Sequence, residues 1–331
     1  MTGQPDQPSS NLWRRSQKFF DQTLHVRMES ILVLLVLCVT MAFLSPYFLS
    51  FSNLLNLLLA TSTIGVLAIG ATFVISSAGL DLSLGSVLGL AGVVGAALVV
   101  RLELFWPLAI LGCLGAGLLA GFVNGQLITR GHIPAFIVTL GMLGIARGLA
   151  LVISNGRVIY GLPDPVVYLG QGRPFGIPMP VIIFLVVALV SHYILAYTRF
   201  GRHTLAIGDN EASAIATGIR VRHHRRYLYM LSGLMAGIAG MLFMARVNSG
   251  DPTAGLTYEL TAITAAIIGG TNLFGGRGSV LGAMIGALIM GVLQNGLNLM
   301  AVQSYYQQMA IGAVLILAVW LDQLQAHRRT S

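Results

Sequence analysis

The sequence predicts an all-α membrane protein of about ten transmembrane helices, and three observations carry that prediction. Of 331 residues, 56% are hydrophobic and only 9% are charged, against about 25% charged in an average soluble domain. The apolar residues fall in ten stretches, most of them close to the roughly 20 residues that a bilayer crossing needs. The loops between them are too short to hold a soluble domain. That excludes most enzymes and, despite a net charge of +8, nucleic-acid binding.

Residues 1–28 open with a polar Pro/Gln/Ser/Asp stretch. Trp13, Phe19, Phe20 and Leu24 then alternate with Arg14, Arg15, Lys18 and Arg27, the composition of a cytoplasmic, interfacial amphipathic helix resting on membrane lipids. Residues 31–49 resemble a signal-peptide core, but Met41-Ala42-Phe43-Leu44-Ser45-Pro46 stands where a cleavage site would be. They are read as an uncleaved first span. Further spans are expected at 54–77, 82–100, 104–125, 133–154, 179–198, 227–245, 257–269, 279–300 and 305–321. Together they make a transmembrane domain at 29–325, followed by a cytoplasmic tail at 326–331. The eighth segment is short, and only the turn at Ala78-Gly79-Leu80-Asp81 separates the second from the third. Both places, 54–82 and 257–279, leave room for broken or re-entrant segments.

Basic residues set the expected sidedness. With an inside N-terminus and ten spans, Arg101, Arg157, Arg173 and Arg246 fall in outer loops and Arg147 within a span, while the other fourteen of nineteen lie on the cytoplasmic side. That bias follows the positive-inside rule and puts both termini in the cytoplasm. Gly85-Ser86-Val87-Leu88-Gly89 returns as Gly278-Ser279-Val280-Leu281-Gly282. Six spans separate the copies, which gives both the same orientation and points to a parallel internal repeat.

Several chemistries are excluded. Cys38 and Cys113 both lie in apolar stretches, so neither a disulfide framework nor a thiolate metal site can form. Lys18 is the single lysine and has no P-loop around it. Neither Gly-x-Ser-x-Gly nor His-Glu-x-x-His occurs. No catalytic residue, metal or cofactor is expected.

Gly117, Gly121 and Gly125, Gly233 and Gly237, and Gly278, Gly282 and Gly286 recur at intervals of four, which lets helix backbones approach closely in lipid. Ionisable groups at membrane depth are costly, and Asp81, Arg147, His192 and Glu259 are the set to explain. Arg147 and Glu259 are expected near the outer interface, satisfied by snorkelling or mutual pairing. His192 reads as structural, and Asp81 as the N-cap of the third span. Neutral polar side chains suit a hydroxylated, uncharged solute. Asn53, Asn56, Thr72, Ser76, Asn124, Thr139, Gln294, Asn295 and Asn298, with Asp81 and Ser83 at the turn, are therefore candidates to line a translocation path. About half of the neutral set are expected to cross-link helices instead.

The polar stretch 199–226 is the longest cytoplasmic loop. Within it Gly208, Asp209, Asn210, Glu211, Ala212, Ser213, Ala214, Ile215, Ala216, Thr217 and Gly218 spell a two-turn helix. Asp209 or Asn210 caps it, Glu211 is acidic in its first turn, and Gly218 stops it. Its apolar side of Ala212, Ile215, Ala216 and Ile219 suits docking into a groove of another protein. The run Arg220, Arg222, Arg225 and Arg226 suits anionic lipid headgroups.

These features come together in one resemblance. The chain resembles permease subunits of bacterial ABC importers in the ribose, xylose, arabinose and galactose branch. The matching stretches are Gly79-Leu80-Asp81-Leu82-Ser83-Leu84-Gly85-Ser86, Ile133-Pro134-Ala135-Phe136-Ile137-Val138-Thr139-Leu140-Gly141, Ala206 to Gly218, Pro252-Thr253-Ala254-Gly255 and Gly269-Gly270-Thr271 with Gly275-Gly276-Arg277-Gly278-Ser279. Ala78 and Leu80 stand where the family usually has Gly and Ile, and Asp209 where Gly is common. The resemblance implies a permease bundle in the inner membrane that pairs with a second permease, two cytoplasmic ATPases and a periplasmic sugar-binding protein. Residues 209–217 would then be the coupling helix that enters the ATPase. The alternative reading, an ion-coupled secondary transporter, needs a deep carboxylate, and only Asp81 and Glu259 are available, both near span ends.

Overall fold

The computed structural model describes residues 28–330, so the amphipathic helix expected within 1–28 lies outside the described residues apart from Met28. All ten apolar stretches are helical: α1 Met28–Leu44, α2 Phe51–Ser76, α3 Leu84–Ala96, α4 Pro107–Thr129, α5 Ala135–Ser154, α7 Met179–Tyr197, α10 Val221–Val247, α11 Tyr258–Ile268, α12 Val280–Leu299 and α13 Ser304–Thr330. The tail expected at 326–331 continues α13 as far as Thr330. Three helices lie between these spans: α6 Asp164–Gln171, α8 Arg199–Asp209 and α9 Glu211–Ala216. Polar composition hid α6 and α8 from a hydropathy reading.

Seven of the described helices, rather than ten, are long and apolar enough to cross a membrane. The shorter apolar helices are Met28–Leu44, Tyr258–Ile268 and the Ser304–Trp320 part of α13. With about 1.5 Å of rise per residue, α11 covers about half of a roughly 30 Å hydrocarbon core. The segment at 257–269 is thus a half-length helix. At the other suspected break, α2 is a full-length helix and the chain turns at 77–83 before α3. A π-helical turn, Ala97–Arg101, extends α3 to 18 residues.

Helix α2 occupies the centre. Every residue from Thr61 to Ser76 is buried, as expected of a helix that is apolar all round. Helices α3 and α10 are also largely enclosed, whereas only 28% of the apolar window of α5 is buried. The glycine stripes lie where backbones touch. Gly282 and Gly286 of α12 face the carbonyls of Gly269 and Ala265 in and after α11, and Gly121 of α4 faces that of Tyr229 in α10. Such approach is what small residues allow in lipid.

Loops assigned by charge to one side meet at one end of the bundle. The Arg101 guanidinium donates to the carbonyls of Ile153 and Ser154, and Gln171 donates to the Arg246 carbonyl. Two short strands pair antiparallel there, β1 Ile159–Tyr160 with β2 Ser249–Gly250, in the register Ile159 to Gly250. At the opposite end Gly276 N–H donates to the Ser76 carbonyl at 3.1 Å, and Gly208 lies against that same carbonyl.

Candidate functional site

The turn between α2 and α3 builds a buried polar knot. Asp81 is 3% exposed. Its Oδ1 accepts the Ser83 N–H at 3.0 Å and the Ser83 hydroxyl at 2.6 Å, and its Oδ2 accepts the Ser232 hydroxyl of α10 at 2.7 Å. Asn124 of α4 donates to Ser83 Oγ at 3.1 Å, while Asn124 Oδ1, also buried, has no protein partner among the described residues. The Tyr229 hydroxyl donates to the Leu80 carbonyl at 3.3 Å. The Thr139 hydroxyl of α5 lies 3.4 Å from that oxygen and 2.9 Å from the Ala135 carbonyl.

Ser83, not Asp81, occupies the N-cap position of α3. Asp81 sits two residues upstream, where its carboxylate can hold the turn and reach α10 at once. Sequence reasoning missed Tyr229 and Ser232. Ser232, a hydroxyl beside Gly233 in an apolar run, was the available signal.

The other path candidates separate into buried, paired and exposed. Thr72 and Ser76 are wholly buried and donate to the carbonyls of Ala68 and Thr72, four residues back. Asn53 and Asn295 form a reciprocal amide pair between α2 and α12 at 2.9 and 2.8 Å. Asn53 also donates to the Phe48 carbonyl. Asn56 is exposed, and so is Asn298, which accepts from Gln307 at 2.8 Å. Gln294 is half-buried.

Arg147 and Glu259 do not form an ion pair. The Arg147 guanidinium donates to the carbonyls of Pro252 and Ala254, fastening the segment before α11 to α5. Glu259, half-buried, lies against Gly85. The ring of His192 meets Tyr197 edge-on at 5.9 Å.

A second site is the α8–α9 elbow. Asn210 is the N-cap: its Oδ1 accepts the Ser213 N–H at 2.9 Å, while Asp209 ends α8. Gly218, at φ +85°, closes α9 as the composition required, with Gly218 N–H on the Ile215 carbonyl and Ile219 N–H on that of Ala214. Ala214 is buried against Ile207 and Val221. Ala212, Ser213, Ile215, Ala216 and Thr217 are exposed, Ile215 by 58%. Glu211 pairs bidentately with Arg225 of α10 at 3.0 and 2.7 Å.

Helix α8 joins this elbow to the core. Thr198 caps it by accepting the Gly201 N–H. Thr204 Oγ1 meets His224 Nε2 at 2.8 Å, and Phe200 lies 6.4 Å, ring to ring, from Phe73 of α2. Contacts thus run from α9 through α8 to α2, where Gly208 lies against the Ser76 carbonyl.

Comparison with known proteins decides the family. Residues 53–319 match the model of the family described as "Branched-chain amino acid transport system / permease component". The chain belongs to this permease family. The ribose import permease protein RbsC of Escherichia coli (strain K12) is 42% identical over 310 residues, 92% of this chain and 96% of that protein. The D-allose transport system permease protein AlsC of the same strain is 40% identical over 294 residues, 88% and 90% of the two chains. The xylose transport system permease protein XylH of Haemophilus influenzae is 33% identical, with 90% and 96% covered. This permease is thus a multi-pass membrane transport component, not an enzyme.

Proposed function

We propose that the chain is the permease subunit of an ABC importer for a monosaccharide-like solute in the bacterial inner membrane, with both termini cytoplasmic. Helix α9 carries the reading: it is capped at both ends, braced by Glu211–Arg225, and leaves Ile215 exposed among the described residues. Two cytoplasmic ATPases supply the motion, which enters at α9 and passes through α8 to α2. The access of the path then alternates between the two sides. A periplasmic binding protein delivers the sugar.

A second permease covers α5, where Gly141, Gly144 and Gly148 face open space. The solute passes between the two subunits, where weak polar contacts suffice because tight binding would slow release. The exposed amides of Asn56 and Asn298, on α2 and α12, are open to solute, while the Asp81 knot holds the bundle. The ten crossings comprise the seven long helices, α1, α13 and the half-length α11, which the turns of 251–257 precede. The Gly-Ser-Val-Leu-Gly stretches at the starts of α3 and α12 support a parallel repeat.

Membrane vesicles test the reading. Co-expression with a partner ATPase and a sugar-binding protein is expected to give sugar uptake that requires ATP. Uptake by the isolated chain under a proton or Na⁺ gradient would refute it in favour of the secondary transporter.

A further inference from the structure

We infer that the solute meets a polar subsite halfway along the bundle, where hydroxyls of a monosaccharide bridge Arg147 of α5 and Glu259 of α11. The inference rests on the sugar reading proposed above and adds the place and the groups. Both residues lie deeper than the outer interface at which the sequence led them to be expected.

Their depth follows from the helices they touch. A methyl group on Gly89 of α3 would meet Arg147 Nη1 at 3.0 Å and the Ala254 carbonyl at 2.8 Å, and one on Gly85 would run into Glu259 Oε2. At 1.5 Å of rise per residue, Gly89 is about 18 Å along the helix from Arg101, where α3 and its π-helical extension end. Glu259 is about 15 Å from Gly269, which caps the other end of α11. Both groups thus stand near the middle of a hydrocarbon core of roughly 30 Å. Ionisable side chains at that depth are costly and mark solute paths.

The backbone beside them points the same way. The 251–257 segment that Arg147 holds is not helical, and irregular backbone at membrane depth is tolerated only where protein buries it or where it lines a water-filled cavity. Thr253 and Leu256 are exposed. On α5, Gly144, one turn before Arg147, faces open space. The segment therefore borders an aqueous path on the open side of α5.

The groups left open there suit a neutral polyol. Both hydrogen bonds of Arg147 leave from Nη1, to the carbonyls of Pro252 and Ala254, so Nη2 and Nε keep their protons for a solute. The Asp251 carboxylate is taken by the Thr253 N–H at 2.8 Å and the Thr253 hydroxyl at 2.7 Å. Glu259 is half-buried, and among the described residues no cation lies within salt-bridge distance of it. Gly85 and Gly89 are one turn, about 6 Å, apart along α3. A donor and an acceptor are thus set one turn apart over two positions without side chains. One sugar hydroxyl can accept from Arg147 while another donates to Glu259. An anion would be repelled by the carboxylate and a cation by the guanidinium.

The test is ATP-driven uptake in vesicles holding the permease with a partner ATPase and a sugar-binding protein. Radiolabelled pentoses and hexoses identify the transported sugar, and its monodeoxy analogues are the probes. Each variant is compared with wild type on the same sugar at saturating concentration, so the preferences of the binding protein cancel. Glu259→Ala should lower the maximal rate on the parent sugar about tenfold, the loss of one hydrogen bond to a charged group, at unchanged melting temperature. On one monodeoxy analogue the variant and wild type should agree within about twofold, because the hydroxyl that Glu259 accepts from is gone. Glu259→Gln keeps an accepting oxygen and should stay within about threefold of wild type. Full uptake by Glu259→Ala would overturn the inference. So would an equal loss on every monodeoxy analogue, which marks a structural role, or a Glu259→Gln as inactive as Glu259→Ala, which marks proton carriage. Absence of ATP-driven uptake by wild type would instead refute the function proposed above, and this subsite with it.

Discussion

Gly117 of α4 and Gly233 of α10 meet backbone to backbone: a methyl group on either would lie 2.2 Å from the carbonyl oxygen of the other. Both contacts are with main chain, so no rotamer change relieves them. Gly117→Val should cost at least the roughly 1–3 kcal/mol of overpacking, read as a lower melting temperature and less protein in the membrane. Gly115→Ala, where a methyl group meets nothing within 4 Å, is the control and should be neutral.

The Asp81 knot separates a structural role from a solute-binding one. Asp81→Ala leaves the hydroxyls of Ser83 and Ser232 without their acceptor, a loss of about 1–3 kcal/mol. The amount of folded protein should fall while KM for the sugar stays unchanged. A raised KM at normal protein levels would put Asp81 in the solute path.

On α9 the side chains predict opposite phenotypes. Ile215→Asp and Glu211→Arg change exposed positions, and an exposed ion pair contributes only about 0–1 kcal/mol. Melting temperature should therefore hold while ATP-driven uptake is lost. Ala214→Trp should instead destabilise the elbow, because Ala214 is buried against Ile207 and Val221. Full uptake in Ile215→Asp would refute the coupling role.

Arg147 fastens the chain before α11 through two carbonyls. Removing hydrogen bonds to a charged donor costs about 1.5–3 kcal/mol, and each 1.4 kcal/mol is a factor of about ten. In Arg147→Met, amide exchange across 252–257 should accelerate about tenfold or more, with α12 unaffected.

The open face of α5 predicts a cross-link. In a background with Cys38→Ser and Cys113→Ala, Gly144→Cys should form a disulfide between two copies of the chain if the transporter is a homodimer. With a different permease as partner, no dimer band should form on a non-reducing gel.

Local chemistry made much of this molecule legible. Hydropathy found all ten apolar helices, since burial in lipid needs nothing beyond an apolar run. The 208–218 composition located α9, because capping oxygens and a terminal glycine act within a few residues. The intervals of glycine foretold close backbone approach. Other features were settled only when the helices came together. A threonine or asparagine in an apolar helix reads the same whether it faces a path or a neighbouring helix, and Thr72, Ser76, Asn124 and Thr139 turned out to be buried. Arg147 and Glu259 could have paired, yet the carbonyls of the 251–257 segment reached Arg147 instead. By itself the sequence determined which segments are helical and apolar and that a short capped helix stopped by Gly218 lies within 208–218; the structure placed it at Glu211–Ala216 with Asn210 as its cap. Only the tertiary structure decided that α11 is half a crossing, that Asp81 ties its turn to α10, and that α9 is joined to the central helix, because those bonds link residues up to about 150 positions apart.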